Sequence, residues 1–471
     1  MAHIYFRRIM GVETEYGISA RTGQSRPIGV DELGRVMFEP VRQVYGSTNV
    51  FRTNSSRLYL DVGSHPEIAT GECDDLIQLL HHVRAGDEVV NQLALQAEAT
   101  LSERSGNPIN IVQLKNNVDS AGNSYGCHEN YLISRDLVLK ETANRLLPFL
   151  ITRQLLCGAG CISHDSASGQ SRYLISQRAH HVWESVSSAT TRTRPMINTR
   201  DEPHADSQLY RRMHVIVGDS NMSDSSFLLK VGTTILVLEM IEAGFFVPPW
   251  DVTDAAASIR EISHDWTGRS AIALKDGTTI SALEVQRQTL KHAQRWLEQR
   301  PDEGTPNALL EEVTKLWNKV VTALENRDWM SLSGDVDWAI KLKLLKGVQT
   351  RLNLPRDDYS HPKLKQVDFA YHDIRQGRGL FLLLEGKNQV NRWSTDKDIA
   401  AAVEAAPSST RAKVRGDFLA AARALNVEPS SYTVDWTRIK LSKDEHPHVV
   451  DLKDPFCVTH EGVEKLIKLL K

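Results

Sequence analysis

The sequence has neither a long apolar run nor a surplus of charge of either sign. Its 56 Lys and Arg residues face 59 Asp and Glu residues, a formal net charge of −3. That balance gives no electrostatic case for nucleic acid or for an anionic membrane as a partner. The most hydrophobic stretch, residues 233–248, is interrupted by Glu239 and Glu242 and is too short to span a bilayer. The opening MAHIYFRRIM has no apolar segment of the length that export needs, so a soluble, cytoplasmic protein is expected. Cysteine is scarce: Cys73, Cys127, Cys157, Cys161 and Cys457 are an odd, scattered set that argues for reduced thiols rather than a disulfide framework. Cys157 and Cys161 stand in CGAGC, which reads either as buried thiols or as half of a zinc site without a second Cys/His pair nearby. Also missing are GxxxxGK[ST] and GxGxxG, so the P-loop and dinucleotide-binding folds are disfavoured.

What the chain does have is an ordinary globular composition, 41% hydrophobic and 24% charged, spread over 471 residues. Strand signals occur at 7–19, 57–70, 109–114, 172–176 and 214–217, the last two expected in the same sheet as the others. Helix signals occur at 30–45, 74–103, 227–243 and 282–328. In the second of these, Leu76, Leu80, Val83, Val90, Leu93, Ala97 and Leu101 form one apolar stripe. Strands and helices mix without a βαβ rhythm, which predicts an α+β fold with a largely antiparallel sheet. Pro and Ser punctuation after residue 405 suggests two domains, residues 1–405 and a small C-terminal one at 406–471.

Acidic residues on strands carry the chemistry. Glu13 and Glu15 alternate and so share a face, as do Arg57, Tyr59, Asp61 and Gly63, with Glu67 further along. Carboxylates aimed inward from neighbouring strands call for a cation, most simply Mg²⁺; the alternative is a solvated sheet face. NSYGCHENY at 123–131 adds His128, which is either a site residue or a satisfied core histidine. TTRTRPMINTRDEPHAD at 190–206 places Arg192, Arg194 and Arg200 beside acids, suiting either a transferring phosphate or a solvated loop. Lys341, Lys343 and Lys346 read as a solvated helix face, with self-modification as the alternative.

Taken together, GVETEYG (11–17), SRLYLDVGSHPEIAT (56–70), KNNVDSAGNSYGCHENY (115–131), PFLITRQLLCGAG (148–160), SSATTRTRPMINTRDEPHADS (187–207), RRMHVIVGDSNMS (211–223) and YHDIRQGRGLF (371–381) closely resemble the Pup–protein ligase family, within the glutamine synthetase-like superfamily. The resemblance implies a curved antiparallel sheet that cradles ATP, with helices packed on it and a small C-terminal domain. It further implies that ATP phosphorylates the γ-carboxylate of the C-terminal glutamate of Pup, a disordered ubiquitin-like modifier. Lysine ε-amines of many target proteins then attack, and the isopeptide-linked products are marked for the proteasome. By position in the family motifs, Glu13, Tyr59 and Glu67 fall on Mg²⁺ ligands and Asp61 on the general base. Arg57, Thr70 and Trp436 fall on ATP contacts, and Arg194, Arg200 and His128 near phosphate or the glutamyl group. A base suits the reaction, because a lysine amine must lose a proton before it attacks.

One departure is Ile68, where the family usually has an aromatic residue after HPE. The paralogous Pup deamidase/depupylase is the alternative. It typically has a longer insertion after the first motif and RFYVDHAHPEY in place of the RLYLDVGSHPE seen here. A catalytically silent Pup-binding scaffold and a small-molecule carboxylate–amine ligase are more distant readings.

Overall fold

The structure, a computed structural model, describes residues 3–22, 27–61, 63–165, 169–188, 194–245, 248–443 and 446–471. Arg192 lies outside the described residues.

Eight strands form the main sheet: β1 (Met10–Glu15), β2 (Asn49–Phe51), β3 (Arg57–Leu60), β4 (Pro66–Ala69), β5 (Cys127–Ser134), β6 (Glu184–Ser187), β7 (Pro195–Asn198) and β8 (Tyr210–Val215). Their order is β6-β7-β8-β5-β1-β4-β3-β2, antiparallel throughout except for the β6–β7 pair. The expected α+β class with a largely antiparallel sheet is therefore found. Alternation gives the sheet two unlike faces. Met10, Val12, Cys127, Tyr131, Met213 and Val215 belong to the main apolar core, which also takes most of helix α2 (Asp224–Glu242). Leu58 and Ile68 pack into a second core with Val89, Val90 and Leu93 of helix α1 (Leu76–Ser105). The residues between them in sequence point to the opposite, polar face.

Local chemistry sets the helix ends. Asp75 caps α1 by accepting from the Gln78 amide at 2.8 Å, and Gly106 ends it in the left-handed region at φ 67°. Every residue of α2 is buried. Its two glutamates are paired inside the protein, Glu242 with Arg8 at 2.6 Å and Glu239 with Arg300 at 2.8 Å. Among the described residues no helix is long and apolar enough to cross a membrane.

Several expected elements divide. The 7–19 strand breaks at Tyr16: β1 stays in the main sheet, while Gly17–Thr22 pairs with Ile109–Leu114 in a separate two-stranded sheet. The 30–45 helix is two helices, Val30–Met37 and Glu39–Tyr45, because Pro40 falls in the first turn of the second and cannot continue the first. The 57–70 strand is the β3–β4 hairpin; Ser64 takes φ 60° and its amide donates to the Asp61 carbonyl at 2.8 Å, turning the chain. Residues 172–176 are not in the main sheet: Gln170–Leu174 pairs with Cys161–Asp165 in a sheet of two. The 282–328 stretch is two helices, Ala282–Leu297 and Asn307–Glu325, separated by a loop holding Pro301 and Pro306. Lys341 is not on a solvated face. It is fully buried, with its ammonium donating to Asp368 and to His372 at 2.7 Å each.

Cys157 is buried and Cys161 half-buried; both are free thiols whose sulfurs lie against the Arg153 and Ser176 carbonyls. Beyond residue 410, helix α3 (Arg411–Ala424), the three strands Tyr432–Asp435, Arg438–Lys443 and His446–Asp451, and the helix Glu461–Leu469 surround an apolar core of their own. Phe51 from β2, the edge of the main sheet, inserts into that core.

Candidate active site

Strand register assembles the site on the polar face. In β1 and β5, Glu13 lies opposite His128; in β1 and β4, Glu15 lies opposite Glu67; in β4 and β3, Glu67 lies opposite Tyr59 and Ala69 opposite Arg57. Further along, His214 of β8 is opposite Asn130 of β5. Residues far apart in sequence thereby form one continuous row of acids, imidazoles and a phenol.

Glu13 is the best-partnered acid. It meets His128 Nδ1 at 3.0 Å, accepts from Asn130 Nδ2 at 2.9 Å, and has Arg212 at 3.9 Å. Burial alone would raise its pKa, but the His128 hydrogen bond and the His214, His128 and Arg212 charges hold it well below the usual carboxylate range. Glu15 goes the other way. Burial and a hydrogen bond shared with Asp61 push it up to about 7, against the Gly126 amide that donates to it. Burial, then the charges of Glu13 and Glu15, likewise raise Glu67 well above the ordinary value. Tyr59 is raised by burial and by Glu67 and Glu13.

A crowd of carboxyl groups that repel one another and retain protons is the condition a divalent cation relieves. Glu15, Asp61 and Glu67 each offer an oxygen within 4.8 Å of the others, and Glu13, His128 and His214 form a second such group. Glu15, Asp61 and Glu67, with Tyr59 hydrogen-bonded to Glu67, form an oxygen-rich set that fits Mg²⁺, whereas Glu13 sits in the second group with two imidazoles.

Beside this row lies a cleft lined by Gly11, Glu13, Thr70, Asn130, Arg212 and Trp436 among others. Thr70 is anchored by its hydroxyl, which accepts from the Val12 amide at 3.1 Å. Trp436 reaches the cleft from the turn between Tyr432–Asp435 and Arg438–Lys443. Arg57 is outside the cleft lining. Its Nε donates to Asn49 Oδ1 at 2.8 Å and its guanidinium lies 5.2 Å from the centre of the Tyr59 ring. Asp61 stands at the start of the hairpin turn, in contact with Glu15 and near His65, whose ring packs edge-on against Tyr125 at 4.8 Å. The structure thus brings Glu13, Tyr59, Asp61 and Glu67 together on one side, and Thr70 and Trp436 into the adjoining cleft. Arg200 is exposed and 3.6 Å from Glu202, so it makes no contact with the acid row.

Asn130, Arg212 and His214 of this face lie within the segments 115–131 and 211–223, but no site role falls on them by motif. The Arg212 Nη1 donates to Asn130 Oδ1 at 2.7 Å and its Nε to the Glu202 carbonyl at 2.8 Å, placing a cation in the cleft wall. The alternation rule that pairs Glu13 with Glu15 also pairs His128 with Asn130 and Arg212 with His214.

The family model for Pup-ligase protein matches residues 8–440. The chain belongs to the Pup-ligase family. A Pup–protein ligase of Corynebacterium diphtheriae is 54% identical over 470 residues, covering 99% of this chain and 96% of its own. One of Corynebacterium glutamicum strain R is 52% identical over 474 residues, covering 98% and 96%. Two solved structures of family members also match. The complex of the prokaryotic ubiquitin-like protein Pup with its ligase PafA aligns at a TM-score of 0.94 and 49% identity, over 99% of this chain and 93% of that one. PafA in complex with ADP aligns at 0.85 and 50% identity, over 96% of each.

Proposed function

We propose that this protein uses ATP to join the C-terminal glutamate of Pup to lysine ε-amines of target proteins. The single observation that carries this reading is the abutment of two features. The row Glu13, Glu15, Tyr59, Asp61 and Glu67 lies beside the cleft of Thr70 and Trp436, in a family whose members include an ADP-bound ligase.

The cleft takes the nucleotide, with the adenine toward Trp436 and the phosphates toward Glu13 and Arg212. Thr70 within the cleft and Arg57 beyond its lining are the other proposed nucleotide contacts. Glu13, Tyr59 and Glu67 would hold Mg²⁺, which when bound neutralises the phosphate charge. The Pup γ-carboxylate oxygen attacks the γ-phosphorus, ADP leaves, and a γ-glutamyl phosphate remains. A lysine amine then attacks the acyl carbon, its proton passes to Asp61, and phosphate departs as the isopeptide bond forms.

The division at 405/406 is proposed on packing: Ala402 and Val403 join the core of α1, whereas Val414 and Phe418 join the C-terminal one. A cytoplasmic location is proposed with it, where Pup and its targets would meet the enzyme.

A test uses one target protein in two forms, native and with its lysines dimethylated. The reading predicts Pup conjugates and Pup-dependent ADP formation with the native form and no conjugate with the other. Conjugation to the dimethylated form at the same rate would refute lysine as the acceptor.

A further inference from the structure

Trp436 sits in a two-residue turn, where no strand pairing fixes its ring. Its position is fixed instead from outside that hairpin. The Phe51 ring meets it edge-on at 4.9 Å and 85°, and the Arg415 guanidinium lies 5.2 Å from its centre and 5.5 Å from that of Phe51. Arg415 Nη1 also donates to the Trp436 carbonyl at 2.9 Å. A guanidinium packed on two aromatic rings is oriented by the forked hydrogen bonds it makes to a carboxylate.

Glu72, two residues beyond Thr70, supplies that fork. Its Oε1 accepts from Arg415 Nη1 at 3.0 Å and its Oε2 from Arg415 Nη2. The same carboxylate takes Arg411 Nε at 3.0 Å and Nη2 at 2.6 Å. Arg411 in turn donates to the His204 carbonyl at 2.7 Å and the Leu452 carbonyl at 2.6 Å. Glu72, Arg411, Trp436 and His204 all line the cleft, and Glu72, Arg411 and Arg415 are each more than nine-tenths buried. Two guanidiniums share one carboxylate, so the node carries an excess positive charge beside a site meant for a polyanion.

We propose that Glu72 is a positioning residue for the nucleotide: through Arg415 it fixes Trp436 against the cleft, and through Arg411 it holds the neighbouring His204 segment of the cleft lining. The proposal rests on reading Trp436 as a nucleotide contact. It assigns Glu72 no contact with ATP and no part in proton transfer.

A double-mutant cycle tests it, with Mg–ADP as the probe in calorimetric titrations of the full chain, its Glu72→Gln and Trp436→Ala variants, and the double variant. Glu72→Gln is expected to weaken ADP binding about tenfold in the native background and less than about threefold once Trp436 is absent. In steady-state ligation, KM for ATP should rise more than kcat falls. If Glu72→Gln lacks a cooperative melt, Arg415→Lys, which keeps the charge but loses the fork, should show the same loss and the same coupling. Equal losses in both backgrounds, or unchanged ADP affinity in a folded variant, would overturn the role of Glu72. Unchanged affinity in Trp436→Ala alone would instead refute the nucleotide assignment of Trp436.

Discussion

Tyr59 and Glu67 face each other directly across the β3–β4 hairpin, and a hydrogen bond joins the phenol to the carboxyl. The pairing exists because the chain turns between Asp61 and His65, whose carbonyl accepts from the Asp61 amide at 3.0 Å. One hairpin therefore carries Arg57 and Tyr59 on one strand, Glu67 on the other and Asp61 at its turn. Glu13 and Glu15 lie on the next strand over.

Asp61→Asn keeps the side chain's size and one hydrogen-bond acceptor but removes the base. Isopeptide formation should fall by about 10²–10⁴, with ADP affinity changed less than about threefold. Single-turnover ligation and calorimetry read the two quantities separately. Near-normal ligation would remove Asp61 from the base role.

Glu13→Ala takes away the carboxylate held well below the ordinary range by His128, His214 and Arg212 despite its burial. The gain in ADP affinity that Mg²⁺ gives the native protein should then shrink. Titration of ADP with Mg²⁺ and with a chelator measures that gain in both proteins. An undiminished gain in the variant would refute Glu13 as a metal ligand.

Acid should loosen the attachment of the C-terminal elements through Glu72. Burial raises its pKa, but Arg415 and Arg411 outweigh burial and hold it at about 2, below its ordinary 4.5. A carboxyl with a lowered folded-state pKa gives stability that is complete above about 4.5 and withdrawn as the pH falls toward 2. The full contribution is on the order of 3 kcal/mol. Urea melts between pH 6 and pH 2.5 should lose stability more steeply in the native protein than in Glu72→Gln. Parallel losses would contradict the assignment.

Behind the site, Glu129 and Arg153 form a fully buried fork at 2.6 and 2.8 Å, with the Tyr131 hydroxyl on the same carboxylate at 2.6 Å. Arg153→Met fills similar volume but leaves Glu129 unpaired, and should cost about 3–5 kcal/mol of stability in urea melts. A loss below about 1 kcal/mol would mean that the pair contributes little.

Much of this was legible in residue patterns, and the failures have physical causes. The alternation of Glu13 and Glu15 predicts a shared face, and both carboxyls act on Glu67. The apolar stripe from Leu76 to Leu101 predicts a helix that is found, and each named residue of it is buried. The hairpin at 57–70 is marked only by Gly63, Ser64 and His65, three residues without an apolar side chain that briefly interrupt an otherwise alternating stretch. The sheet membership of 172–176 was not readable, because a short strand's pattern does not say which edge it pairs with. Lys341 misled for a different reason: its partners Asp368 and His372 are 27 and 31 residues away, on or just after the next helix. Arg212, Asn130 and His214 required knowing that β5 and β8 are neighbours of β1, a contact between distant segments.

The most direct test of the central claim is a single assay with two forms of Pup, one ending in glutamate and one in glutamine. Each is incubated with this protein, Mg–ATP and a lysine-rich target, then analysed by intact mass. The account predicts a Pup-sized mass increase on target lysines and stoichiometric ADP with the glutamate form alone. Conversion of glutamine to glutamate with no conjugate from either form would contradict it.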